Sequence, residues 1–196
     1  DGRQIAFIAS FSDASYLYVA DTKSGNARRL HRRALMPTSV TGIQWTDAGK
    51  SVMAVFRHER MSAPPNEPGA FDVPLVKLTD TRSNELRTFF SLIESPQDEA
   101  LYEYYMTGQI AKVALDGGRM DEIGTPKMVR SIAPNPAGGA VRVTIVVKPF
   151  SRIVQQRSFG TVEEVWDESG KVLAEVNKRE VQLGGAPVPV ASVTQG

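Results

Sequence analysis

Apolar residues recur along this chain at every second position far more often than at helical spacing. Ten stretches carry the alternation: residues 4–8, 16–20, 42–45, 51–56, 74–78, 85–90, 108–115, 140–147, 160–166 and 171–176. They are rich in Val, Ile, Tyr, Phe and Thr, side chains that fit a pleated, half-buried surface. Turn residues punctuate them: Asp1-Gly2, Lys23-Ser24-Gly25, Asp47-Ala48-Gly49, Arg82-Ser83-Asn84, Asp116-Gly117-Gly118, Ala137-Gly138-Gly139 and Glu168-Ser169-Gly170. Gly and Asn accept the positive φ that short hairpin turns demand. The pattern predicts an all-β chain built from antiparallel hairpins. Residues 92–106 are ambiguous. Ser95-Pro96-Gln97-Asp98-Glu99 has the form of a helix start, with Ser95 as N-cap and Pro96 in the first turn. Leu101-Tyr102-Glu103-Tyr104-Tyr105 reads equally as a strand, and the strand is the reading adopted. Residues 61–69 contain three prolines and read as a loop, since proline cannot donate to a central ladder. Residues 183–196 read as an extended connector.

The alternation repeats on a longer scale. Residues 43–53, centred on Trp45-Thr46-Asp47-Ala48-Gly49-Lys50, return as residues 132–143, and in shortened form as Asp1-Gly2-Arg3-Gln4-Ile5-Ala6-Phe7. A closing half, Leu17 to Leu30, returns around Asp80-Thr81-Arg82-Ser83-Asn84 and Asp167-Glu168-Ser169-Gly170. Four antiparallel strands per unit, repeated radially, make a β-propeller blade. The expected fold is therefore a partial β-propeller of about three to four blades, with pieces at about 1–39, 40–127 and 128–182 and a connector at 183–196. The middle piece has room for an extra hairpin or a fourth blade. Propellers close with about 4–8 blades, so the chain is expected to be a fragment of a larger propeller.

Trp45-Thr46-Asp47-Ala48-Gly49-Lys50 resembles the W-S-P-D-G-K signature of bacterial propellers. Two groups carry it, the Tol-system periplasmic propeller and the N-terminal propeller of the prolyl oligopeptidase family of serine peptidases. Three further stretches resemble the glutamyl endopeptidase branch of that family: Asp98-Glu99-Ala100-Leu101-Tyr102-Glu103-Tyr104-Tyr105, Lys148-Pro149-Phe150-Ser151, and Val162-Glu163-Glu164-Val165-Trp166-Asp167. The tail over residues 188–196 looks like that branch's inter-blade connector. The resemblance implies a two-domain enzyme. Its propeller would restrict access of peptides to a C-terminal α/β-hydrolase domain carrying a Ser-Asp-His triad. The nucleophile elbow G-x-S-x-G occurs nowhere in these 196 residues. No catalytic residue is therefore assigned to this chain, and the hydrolase domain is expected outside it.

Charge and composition narrow the partners. Lys plus Arg is 23 and Asp plus Glu is 22, a formal net charge of +1. That excludes a strongly basic nucleic-acid binder and an acidic tail. With no cysteine, disulfides, thiolate zinc sites and cysteine nucleophiles are excluded. No apolar run approaches the roughly 20 residues of a membrane helix. The two histidines, His31 and His58, lie in no metal-ligand spacing, and no cofactor or metal is expected.

Several residues carry a functional and a plainer reading. Arg57, His58 and Arg60 follow an apolar strand and precede the proline loop. They could hold acidic peptides by charge-assisted bonds; a solvated loop partly neutralised by Glu59 is the plainer alternative, and the favoured one. Arg28, Arg29, Arg32 and Arg33 could form an anion patch, but a charged edge that discourages strand pairing is favoured. Tyr102, Tyr104 and Tyr105 could line a peptide surface, with core packing favoured. Trp45 and Trp166 are assigned to matching blade positions with a structural role. Glu163-Glu164 could hold a substrate amine, with surface pairing preferred. The candidate substrate-binding set is Arg57, His58, Arg60, Tyr104 and Tyr105. The leading expectation is the gating propeller of an acyl-enzyme serine peptidase, cleaving after Glu, with peptide and hydrolase domain as partners. Neither nucleic acid nor a membrane span is expected, and a periplasmic or secreted bacterial setting is preferred. The alternative is a non-catalytic propeller binding proteins on its faces. A free-standing β-sandwich is a third reading.

Overall fold

A computed structural model of the chain describes residues 2–36, 42–59, 61, 63–65, 93, 95–152 and 154–182. Among the described residues the order is β1 (Gln4–Ser10), β2 (Ser15–Asp21), β3 (Ala27–Arg29), β4 (Gln44–Thr46), β5 (Ser51–Phe56), α1 (Pro96–Met106), β6 (Thr107–Ala114), β7 (Met120–Pro134), β8 (Ala140–Val146), β9 (Thr161–Asp167) and β10 (Val172–Arg179). Eight of the ten alternating stretches are strands. The other two, 74–78 and 85–90, lie outside the described residues, as do the connector from 183 and the turn at 82–84.

All pairing is antiparallel between neighbours in sequence. One sheet runs β1-β2-β3, the other β4 through β10 in order. β7 serves two groups of strands: residues 120–128 pair with β6, while residues 129–134 pair with β8. The seven-stranded sheet is thus two four-stranded meanders hinged on one strand, and with the β1–β3 sheet it makes a partial β-propeller.

β7 is not among the ten alternating stretches, though its end lies in the repeated opening at 132–143. Gly124 and Pro126 fall where it bends. Gly124 takes φ +64°, and its backbone abuts Gly170 in the β9–β10 turn so closely that a Cβ on Gly170 would overlap it. The ladder skips register here. Gln109, 2% exposed, fills the gap: its side-chain amide donates to the carbonyls of Ile110, Ile123 and Gly124 at 2.9, 3.1 and 3.2 Å. Burying a carbonyl at a bend without such a donor is costly.

The core explains the order of the layers. β5 is buried at all six positions. Val52, Ala54 and Phe56 face one cluster, with Leu17, Val19, Leu30 and Leu35 around the first sheet. Met53 and Val55 face another, with Ile123, Val129, Ile132, Val141, Val143 and Trp166. The middle meander is therefore packed on both faces, which is how a strand comes to read as a continuous apolar run. Gly108 permits the closeness: a Cβ there would sit 2.5 Å from Val55 Cγ1 and 2.7 Å from Met36 Cγ.

Two sequence expectations are corrected. Residues 101–105 are helical, not extended. The Ser95 hydroxyl accepts from Asp98 N–H and the Asp98 carboxylate accepts from Ser95 N–H, a capping box with Pro96 at the first helical position. Helical spacing also stacks Tyr102 and Met106 one turn apart against Phe150, Phe159 and Val146. Trp45 and Trp166, in turn, do not match. Trp45 lies on β4, the first strand of its meander, and is 38% exposed. Trp166 lies on β9, paired on both sides, and is 3% exposed with its indole N–H donating to Glu164 at 2.6 Å.

Candidate functional site

The register sorts the connections into two rims. At one rim lie tight turns: 22–26, 47–50, 115–119, 135–139 and 168–171. The repeated openings sit side by side there. Ala48 N–H donates to Pro136 O at 2.7 Å and the Thr46 hydroxyl to Asn135 O at 2.9 Å. The repeated closings share a device: Asp21 accepts from the N–H and hydroxyl of Ser24, and Asp167 from those of Ser169. These bonds hold both carboxyls below the usual aspartate value. Lys112 spans the meanders, 2.6 Å from Glu168 and 3.2 Å from Asp47. Partial burial opposes its charge, but bonds to Glu168 and Asp47 win and raise its pKa; the same Lys112 bond, with Gly139 N–H, lowers that of Glu168. This rim is structural: Asp21 and Asp167 are spent within their own turns, and Asp47, Lys112 and Glu168 on one another.

The opposite rim carries the described residues just beyond β5, α1, and the described part of the β8–β9 connection. Long connections on a rigid sheet are where binding groups collect. Phe56 pairs with Gln109 and Leu35, Thr107 with Met128, and Val146 with Thr161, itself opposite Arg179. Arg57 and His58, the C-terminal half of α1, Lys148 and Arg179 therefore share this rim.

Arg57 and His58 are half-buried just beyond β5. Arg57 N–H donates to Ala34 O at 2.9 Å and His58 O accepts from Met61 N–H at 3.2 Å, so backbone bonds fix both positions. Arg60 lies outside the described residues. Glu59 turns away to Arg33 at 2.5 Å, and Arg33 also holds Glu122 at 2.5 Å. Burial works against Arg33, yet the two carboxylate bonds raise its pKa. His31 stands edge-on to Phe56, its Nδ1 accepting from Arg33 N–H at 3.1 Å. Burial, and then the Arg33 and Arg32 charges, lower its pKa. Arg29 stacks over Tyr16, and Arg28 bonds the Leu115 carbonyl, both from β3, an edge strand of its sheet.

The tyrosines divide. Tyr102 packs edge-to-face on Phe150 and Phe159, 5.0 and 5.4 Å between centroids. Burial raises its pKa against the pull of Arg130. Tyr104 is half-buried and Tyr105 is 43% exposed, their rings 5.0 Å apart and perpendicular. They sit at the end of α1, beside the start of β6 and so near the end of β5. Glu163 pairs with Arg142 at 3.3 Å, and Glu164 holds the Trp166 indole.

Sequence reasoning passed over the charges around the β8–β9 connection. Lys148 pairs with Glu103 at 2.6 Å and Arg152 with Glu99 at 3.2 Å, which fastens α1 to that connection. Lys178 and Arg179 come to the same place from β10. Only the register of three strands unites them, and residue types alone do not encode that register. Among the described residues, no group of three or more His, Asp or Glu side chains could hold a metal ion. No described helix is long and apolar enough to cross a membrane.

No family model matches the chain. Two curated proteins do, both described as probable chloroplastic glutamyl endopeptidase. The one from Oryza sativa subsp. japonica is 25% identical over 205 residues, covering 100% of this chain and 22% of that protein. The one from Arabidopsis thaliana is 26% identical over 184 residues, covering 90% of this chain and 19% of that protein. The chain thus spans about a fifth of the curated relatives' length. Among solved structures, an acylaminoacyl peptidase in complex with Z-Gly-Gly-Phe-chloromethyl ketone superposes with a TM-score of 0.52 at 14% identity, covering 91% of this chain and 24% of that one. At that identity the match speaks to fold. The resemblance to the glutamyl endopeptidase branch of the prolyl oligopeptidase family extends over the whole chain.

Proposed function

We propose that this chain is a segment of the gating β-propeller of a prolyl-oligopeptidase-family serine peptidase that cleaves after Glu. The observation that carries the reading is the alignment of its entire length with a probable glutamyl endopeptidase. The propeller contributes size exclusion and domain docking. A hydrolase domain elsewhere in the protein contributes the nucleophile, its base and the acyl-enzyme. The segment meets the hydrolase domain through its long-connection rim. Arg57 and His58, with Arg60, draw acidic peptides towards the active site, and Tyr104 and Tyr105 offer the backbone an aromatic surface.

The test is kinetic and uses the full-length protein. Peptides with Glu at P1 are cleaved, and matched peptides with Gln are cleaved far more slowly. Replacing Arg57 and His58 together by Gln lowers kcat/KM on acidic peptides by about three- to tenfold at low ionic strength, as loss of steering charge does. It leaves neutral peptides unchanged. Equal cleavage after Glu and Gln would remove the specificity while keeping the peptidase.

A further inference from the structure

A cavity of about 640 Å³ opens on the long-connection rim between the β8–β9 connection and the end of β10. Four cations line it, Lys148, Arg152, Lys178 and Arg179, with Phe150 and Val181 as apolar wall. Glu180 is the one carboxylate among the described lining residues. Lys148 and Arg152 are partly spent on Glu103 and Glu99. Lys178 is exposed and makes no ion pair among the described residues.

Arg179 is the informative group. Its Nη2 donates to the carbonyls of Arg157 at 3.0 Å and Phe159 at 3.4 Å, which pins the guanidinium. Its Nε is buried and has no hydrogen-bond partner among the described residues. Arg130 reaches the same Arg157 carbonyl at 3.4 Å, so a second guanidinium crowds the site. A guanidinium pinned in place among further cations holds a fixed positive charge at the cavity, which favours an anionic partner.

We propose that this cavity binds the carboxylate of an acidic peptide segment, with Lys178 as donor, the Arg179 charge fixed behind it, and an adjoining apolar side chain against Val181. Charge-assisted bonds of this kind are about twice as strong as neutral ones. Nucleic acid fits the site poorly. Phe150 is stacked on Phe159 and capped by the Tyr102 edge, so its ring is not free to stack on a base. The chain's net charge of +1 also gives no broad polyanion footprint. The proposal stands on this chain's own geometry, and only its test, which blocks a nucleophile, rests on the peptidase reading. Peptide hydrolysis with no binding at this cavity would sink the cavity proposal and leave the peptidase; binding here by a protein that takes no fluorophosphonate would do the reverse.

The test is photo-crosslinking and fluorescence polarisation on the full-length protein with its nucleophile blocked by a fluorophosphonate. The probe is a capped peptide carrying Val-Glu-Phe and a benzophenone. Adducts are expected within residues 147–152 or 178–181, and the Val-Gln-Phe peptide is expected to bind at least tenfold more weakly. Arg179 is tied to the backbone, and its loss could disturb folding. Lys178→Glu, at an exposed position, therefore carries the mutational arm, with an expected loss of tenfold or more. Equal binding of Glu and Gln peptides, insensitivity to Lys178→Glu, adducts only elsewhere, or readier displacement by inorganic phosphate or a DNA oligonucleotide would each overturn it.

Discussion

Single residues decide where this chain can bend. Gly170 and Gly124 meet backbone to backbone, and Gln109 serves the carbonyls the bend exposes. Gly170→Ala adds a methyl where there is backbone, at φ +86°. It should cost about 2–4 kcal/mol, more than Gly108→Ala, where side chains can give. Gln109→Leu should cost about 2–3 kcal/mol by leaving buried carbonyls without donors. Urea unfolding midpoints check all three, and a neutral Gln109→Leu would contradict the role given to that amide. His31 supplies a pH signature. Its folded pKa lies below the ordinary 6.5, so on acidification the unfolded chain binds the proton first. Stability from this group is complete above 6.5 and drains as pH falls through the folded value. His31→Asn keeps an acceptor for Arg33 N–H and should flatten the dependence of Tm on pH between about 7 and 5. An unchanged slope would assign the effect elsewhere. Asp21, Asp167 and Glu168, all lowered, give a separate loss of stability below the usual carboxyl range.

At the scale of elements, legibility depended on how local the signal was. Strand positions such as 51–56 and 140–147 were plain, because alternation and flanking turns sit in the sequence itself. The helix was visible as a start signal at Ser95 and Pro96, but three tyrosines in four residues outweighed it. The capping box and the burial of Tyr102 beside Met106 settled the element, and the partners of that burial, Phe150 and Phe159, lie 48 and 57 residues downstream of Tyr102. β7 lacked a clear alternation, since Gly124 and Pro126 interrupt it where the ladder skips register. The site behaved likewise. Arg57 and His58 were legible as a charge run, while Lys148, Lys178 and Arg179 become one place only through pairing of β8, β9 and β10. Ser95→Ala should remove the cap bond and destabilise the chain by about 1 kcal/mol, with helical ellipticity falling in step. Unaltered ellipticity and midpoint would mean that packing alone holds α1.

At the scale of the molecule, three β-layers stack with the middle one covered on both faces, and the two rims divide the labour. The tight-turn rim spends its charges on itself through Asp47, Lys112 and Glu168. The long-connection rim gathers α1, the paired tyrosines and two cationic groups. A gate for peptides needs this asymmetry, because a ring that binds must also hold its shape. The central claim is that this layered unit serves a serine peptidase, and active-site labelling of the full-length protein tests it most directly. Treated with a fluorophosphonate probe, the folded protein should label at a single serine outside these 196 residues and lose its cleavage of Glu peptides in proportion. A folded, full-length protein that takes no label and cleaves no peptide would contradict the claim.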